Sequence, residues 1–194
     1  MGLKRISQQK MLKKQRIFIG ITLPPVIRKE LSRIQDSLKV KDLCMARWTQ
    51  AENLHLTLKF LGEIDCDQLK KNEIMLSAID CPAFRASLGG IGIFSSTKSI
   101  RIIWVQIAGE GIANLQKQVD RALSPVIEPE WRFMSHVTIG RVKSIRNRPR
   151  FLTEISQISP QALEFDVKEF SIFQSVLSSE GAIHSIIKRY PLSV

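Results

Sequence analysis

At 194 residues, 44% of them hydrophobic and 24% charged, the chain can build one full core or one two-lobed domain and has the composition of a globular protein. No apolar run approaches the roughly 20 residues that span a bilayer, and the N-terminus lacks the apolar segment and small-residue cleavage site of a secretory signal, so no membrane span is expected and the cytoplasm is the expected location. The net charge of +11, from 29 basic and 18 acidic residues, favours a polyanionic partner through long-range attraction and counterion release.

Residues 1–15 carry Lys4, Arg5, Lys10, Lys13 and Lys14, no acid and no hydrophobic periodicity. They read as a flexible basic arm, with one folded domain over 16–194. The body is itself basic: beyond Arg16 it holds 23 basic against 18 acidic residues. A β-rich apolar run over 16–23 ends at Pro24 and Pro25. Ile27, Leu31, Ile34 and Leu38 then recur at helical spacing, behind a proline that suits a helix start because its missing N–H had no partner there. A strand follows over 54–61. Asp65 or Asp67 caps a helix running to about residue 79. Residues 84–94 read as a strand interrupted at Gly89-Gly90 by a bulge or turn. A strand over 101–108 leads to a helix carrying Ile112, Leu115, Val119 and Leu123. A strand over 136–142, a short helix over 149–158 and two closing strands over 163–176 and 183–190 complete the order. Cys44, Cys66 and Cys81 are odd in number and in no CxxC spacing, so they read as reduced thiols rather than a disulfide framework or zinc knuckle.

That order contains a repeat. RIFIGIT (16–22) resembles RIIWVQI (101–107), and each is followed by a helical pattern and then a histidine-bearing strand. Downstream, FRASLGGIGIF (84–94) parallels LEFDVKEFSIF (163–173). Two copies are too few for a solenoid and imply two similar lobes about a pseudo-two-fold axis. The expected fold is α+β.

Two of the three histidines, His55 and His136, each begin a His-apolar-Thr-apolar tetrad, HLTL and HVTI, at equivalent points of the repeat. Side chains alternate along a strand. His55 and Thr57 should therefore share one face, with Leu54, Leu56, Leu58 and Phe60 on the other. His136 and Thr138 share a face opposite Val137 and Ile139. If the lobes face each other, two imidazoles and two hydroxyls line one cleft. One imidazole can accept a proton while the other donates one. The hydroxyls can donate to non-bridging phosphate oxygens as charge develops on them. This set suits the opening of a cyclic phosphodiester. Zinc would need further ligands, and neither tetrad has a neighbouring Asp, Glu or Cys on its face; no metal or cofactor is expected. His184 reads as structural.

RWTQAENLHLTLKFLGEI (47–64), GIGIFSSTKSIRIIWVQI (90–107) and FMSHVTIGRVK (133–143) resemble the motif regions of the RNA 2',3'-cyclic phosphodiesterase family, also called 2'-5' RNA ligases, of the 2H phosphoesterase superfamily. The resemblance covers residue 16 to the C-terminus. It implies a bilobal α+β fold with an antiparallel sheet in each lobe and the active site between them. It also implies hydrolysis of RNA 2',3'-cyclic phosphate ends to a 2'-phosphate, with reversible 2'-5' joining in some members. His55 would be the acid toward O3' and His136 the base toward water, though the pseudo-symmetry also allows the reverse. Arg141, following the second tetrad, would contact phosphate. Strict alternation puts it on the wrong face unless Gly140 redirects it. Ser135 stands where many members have proline. Phe18 and Trp48 are candidates for stacking a base, with core packing the alternative for Phe18. The partner implied is RNA rather than DNA, which has no 2'-hydroxyl to form the ring, and the protein is expected to act as a monomer. A catalytically idle RNA-binding module is the alternative, and intact tetrads in both halves count against it.

Overall fold

The computed structural model describes residues 14–96, 99–179 and 181–194. Residues 1–13 of the expected arm lie outside them. The first half holds β1 (Gln15–Thr22), α1 (Pro25–Val40), β2 (Cys44–Trp48), a 3-10 turn (Ala51–Asn53), β3 (His55–Ile64), α2 (Cys66–Leu76) and β4 (Phe84–Ser95). The second holds β5 (Ile100–Ala108), α3 (Glu110–Leu123), β6 (His136–Ile145), α4 (Arg148–Ser156), β7 (Glu164–Val167), β8 (Glu169–Leu177) and β9 (Ala182–Pro191).

Local chemistry sets these boundaries. Of the two possible caps for α2, Asp65 serves: its carboxylate accepts from Asp67 N at 3.0 Å and Gln68 N at 2.8 Å. Gln68 Oε1 accepts from Asp65 N in return, so two orphan donors are satisfied reciprocally. At Gly89-Gly90, β4 continues through a bulge, with two residues opposite Gln106 alone. A Cβ on Gly89 would lie 2.8 Å from Gln106 Oε1 and 3.0 Å from its Cβ, so a larger residue there would have to displace the Gln106 side chain.

Every strand pairing is antiparallel, in two sheets of order β3-β1-β8-β9 and β2-β6-β5-β4-β7. The repeat is visible as two matching triplets, β3-β1-β8 and β6-β5-β4. The third member of each triplet comes from the other half of the chain. β4 follows the first histidine strand yet pairs with β5, and β8 follows the second yet pairs with β1. Neither lobe can therefore complete its sheet from its own half.

Two elements differ from the sequence expectation. The run over 163–176 divides at Lys168: β7 closes the edge of the five-stranded sheet against β4, while β8 enters the other sheet. Phe165, Val167, Phe170 and Ile172 are all buried, and no glycine or proline marks the crossing. β2 is an edge strand too short and too half-exposed to announce itself by periodicity.

The helical stripes are buried as their spacing demands, with Ile27, Leu31, Ile34, Leu38 and Ile112, Leu115, Val119, Leu123 all at most 3% exposed. α1 packs against β6 and α3 against β3, so each helix supports the histidine strand of the other half of the chain.

Candidate active site

The two histidine strands carry the same irregularity. Opposite β1, the β3 register passes from Gly20↔Thr57 to Ile19↔Lys59, leaving Leu58 without a partner. Opposite β5, β6 passes from Trp104↔Thr138 to Ile103↔Gly140, leaving Ile139 without one. A one-residue bulge reverses the alternation beyond it. Before the bulge, His55 and Thr57 are half-buried on the cleft side and Leu56 and Leu58 are in the core; His136, Thr138, Val137 and Ile139 repeat the pattern. After it, Lys59 turns inward at 6% exposure and Phe60 turns out to 61%. Phe60 therefore leaves the apolar face to which strict alternation assigned it. Arg141 is redirected by the corresponding bulge, so it joins the side of His136 and Thr138. Gly140 at the bend is buried against Trp48, whose ring would lie 3.0 Å from a Cβ there.

Both bulges are held from the other half of the chain. Gln35 of α1 donates from Nε2 to Ile139 O at 2.7 Å and to Thr49 O at 2.8 Å. Thr49 in turn donates from N to Ile139 O and from Oγ1 to Thr138 O. On the other side, Lys59 forms a 2.6 Å ion pair with Asp120 of α3 and donates to Glu128 O. Asp120 also accepts from Gln116 Nε2 and Glu130 N. A buried charge pair needs such further bonds to offset its desolvation.

His55, Thr57, His136, Thr138 and Arg141 all line one cleft of about 500 Å³ between the lobes. The imidazoles are held alike. Nδ1 of His55 lies 2.7 Å from Asn53 O, and Nδ1 of His136 lies 2.7 Å from Met134 O. A carbonyl oxygen only accepts, so each Nδ1–H donates and each Nε2 is left to exchange a proton. Asn53 is itself anchored, donating from Nδ2 to Ala182 O at 2.7 Å and accepting from His184 N at 3.2 Å.

The rings rest on aromatic side chains. Phe18, 2% exposed, stacks on Phe173 at 4.8 Å and on His55 at 4.6 Å. It is the floor beneath His55, which fits the core-packing alternative rather than the base-stacking one. Phe94 meets His136 edge-on at 4.9 Å. Trp48 lines the cleft wall.

Burial lowers the His55 pKa to about 4, against the pull of the Asn53 carbonyl and with help from the charges of His184, His136 and Arg141. Burial likewise lowers His136, opposed by the Met134 carbonyl and aided by Arg141. The free cleft therefore favours neutral imidazoles.

Three ionisable cleft residues have no functional reading in the sequence. His184, read as structural, lies edge-on to His55 at 5.0 Å and lines the same cleft. Arg16 and Arg47 line it too. Their signal is tertiary: His184 reaches the site through the pairing of β9 with β8, and Arg47 through the unforeseen strand β2. Among the described residues no three His, Cys, Asp or Glu side chains are grouped so as to hold a metal ion, and no helix is long and apolar enough to cross a membrane.

A family model described as LigT-like phosphoesterase matches residues 21–104 and 105–184, one stretch containing each tetrad. The chain is 32% identical to the RNA 2',3'-cyclic phosphodiesterase of Methanocaldococcus jannaschii over 177 residues, covering 90% of this chain and 99% of that one. It is 25% identical to the Escherichia coli K12 protein of the same name over 185 residues, covering 92% and 97%. Its fold is similar to the crystal structure of TT0787 of Thermus thermophilus, with a TM-score of 0.77, 25% identity and coverage of 91% and 97%. It is also similar to E. coli LigT complexed with 3'-AMP, with a TM-score of 0.72, 24% identity and coverage of 94% and 99%.

Proposed function

Because the chain belongs to the LigT-like phosphoesterase family, we propose that it hydrolyses RNA 2',3'-cyclic phosphate ends to 2'-phosphates by metal-independent acid–base catalysis. The observation that carries this reading is the pair of imidazoles in one cleft, each with Nδ1–H tied to a backbone carbonyl and Nε2 left to work.

In the reaction His136 Nε2 takes a proton from water as the water oxygen attacks phosphorus. The P–O3' bond breaks, and His55 Nε2–H gives its proton to O3'. The product is a ribose 2'-phosphate with a free 3'-hydroxyl. Thr57 and Thr138 donate to the non-bridging oxygens, and the Arg141 guanidinium offers them a planar fork of N–H donors. His55 must carry a proton before it can act, whereas the free cleft holds its pKa near 4. The bound cyclic phosphate is an anion, and its charge raises both imidazole pKa values. Substrate thus arms the acid. If a 5'-hydroxyl replaces water, the same transfers join RNA ends through a 2'-5' bond.

The basic arm, residues 1–15, adds sequence-independent phosphate contacts to long RNA. DNA cannot form the cyclic ester and is not a substrate. The protein acts as a monomer in the cytoplasm, a reducing compartment consistent with free Cys44, Cys66 and Cys81. The test is turnover of nucleoside 2',3'-cyclic phosphate by the purified protein with and without EDTA. A protein that binds RNA but turns over none of the four cyclic nucleotides is the idle binding module instead.

A further inference from the structure

The cleft holds more positive charge than a cyclic phosphate can neutralise. Arg16, Arg47 and Arg141 line it together with three histidines, and no Asp or Glu is among the described residues that line it. A cyclic phosphodiester is a monoanion. Arg47 and Arg141 are direct cross-strand partners, a like-charge pairing that destabilises a sheet unless an anion lies across it. That pair matches the cyclic phosphate and leaves Arg16 on the opposite wall.

Arg16 does not stand alone there. The registers of three neighbouring strands place Arg16 opposite Ser175 and Ser175 opposite His184. A guanidinium, a hydroxyl and an imidazole thus form one row across β1, β8 and β9, and all three line the cleft. The row starts beside the reaction centre, where the His184 ring meets the His55 ring at 5.0 Å, and leads away from it toward Arg16. His184 Nδ1 is buried with no partner among the described residues, so this ring has only its outer nitrogen to offer. The charges of Arg16 and Arg141 both act on this imidazole, Arg16 the more strongly, although burial is the larger cause of its lowered pKa. Donors arranged this way, with no acid among the described lining residues, suit a second anion beside the cyclic phosphate.

We propose that Arg16, Ser175 and His184 form a second phosphate subsite, which takes the phosphodiester on the 5' side of the terminal ribose. The preferred substrate is then the end of an RNA chain rather than a free cyclic mononucleotide. This rests on the cyclic phosphodiesterase reading of the reaction centre. Arg16 supplies the fork that suits a phosphodiester, Ser175 a hydroxyl donor, and His184 an N–H whose protonated form the second phosphate favours.

The test compares kcat/KM for four substrates of one terminal base. These are a nucleoside 2',3'-cyclic phosphate, its 5'-monophosphate, a dinucleotide ending in the cyclic phosphate, and that dinucleotide with a neutral methylphosphonate linkage. In the wild type the phosphodiester dinucleotide should exceed the nucleoside by about tenfold or more, the scale of a charge-assisted phosphate contact, and the methylphosphonate should lose that advantage. Arg16→Ala should bring the dinucleotide-to-nucleoside ratio near one, with Arg16→Lys between. An unchanged ratio in Arg16→Ala overturns the subsite. So does a methylphosphonate equal to the phosphodiester, since the preference then comes from the extra nucleoside. A 5'-monophosphate equal to the dinucleotide overturns the internucleotide assignment. If the wild type turns over none of the four, the phosphodiesterase reading fails, and the ratio of dissociation constants for the same ligands decides the subsite by the same criteria.

Discussion

Phe60 and Arg141 occupy the same place in the two halves of the chain: each is fifth after its histidine and each is turned into the cleft by a one-residue bulge. The pseudo-symmetry of the histidines and threonines is broken here, with an aromatic ring on one side and a cation on the other. Developing negative charge on phosphorus therefore has one charged neighbour at this position. Arg141→Ala should lower kcat/KM by about two orders of magnitude, the scale of one lost donor to a transition-state oxyanion. Arg141→Lys should recover little of it, because an ammonium cannot reproduce the planar fork. Steady-state kinetics on a cyclic mononucleotide measures both.

Removing either imidazole should cost about two to four orders of magnitude in kcat, the range for acid–base groups. The two losses should differ in kind. A substrate whose leaving group has a low pKa needs no acid, so it should restore turnover to His55→Ala and not to His136→Ala. Rescue of His136→Ala alone would exchange the two roles.

The lowered imidazole pKa values fix the shape of the pH profile. In the free protein both are depressed below 6.5, His55 to about 4. One ring must be neutral and the other protonated, so kcat/KM should peak below pH 6.5. The bound phosphate monoanion favours both imidazolium forms, so the kcat profile should lie at higher pH than that of kcat/KM. Coincident profiles centred above neutrality would contradict this. The same shift acts on stability. Between pH 6.5 and about 4 the unfolded chain takes a proton at His55 that the folded chain refuses, so stability falls as pH falls through that window. Denaturation at several pH values should show a smaller drop for His55→Gln.

Gln35 holds the Ile139 bulge that turns Arg141 inward, directly and through Thr49. Gln35→Met keeps the length of the side chain and removes the donor. Its loss of kcat/KM should largely vanish in an Arg141→Ala background, which a double-mutant cycle reads directly. Fully additive losses would mean that Gln35 serves stability alone. Its counterpart across the pseudo-two-fold is ionic. Lys59→Met should destabilise the fold by about 1–3 kcal/mol, because it leaves the part-buried Asp120 with its Gln116 and Glu130 donors but without a cation, and chemical denaturation measures it.

The helical stripes, the paired tetrads and the repeat were legible in the sequence because periodicity and motif spacing are local properties. The exchange of β4 and β8 between lobes was not, since pairing partners are chosen by tertiary contacts. The bulges lay half in view. Gly140 hinted that Arg141 could turn, but nothing at Leu58 or Lys59 marked the matching irregularity that carries Phe60 into the cleft. The place of His184 in the cleft is not legible, because its strand says nothing about which sheet receives it. Arg47 is hidden in the sequence because β2 is short and half-exposed, and Arg16 because it begins an apolar strand.

The most direct test of the central claim is the regiochemistry of ring opening in ¹⁸O-labelled water with EDTA present. The account predicts undiminished turnover and a 2'-phosphate carrying one labelled oxygen, with the free 3'-hydroxyl unlabelled. A 3'-phosphate product, label in the ribose hydroxyl, or activity abolished by EDTA and restored by a divalent ion would contradict it.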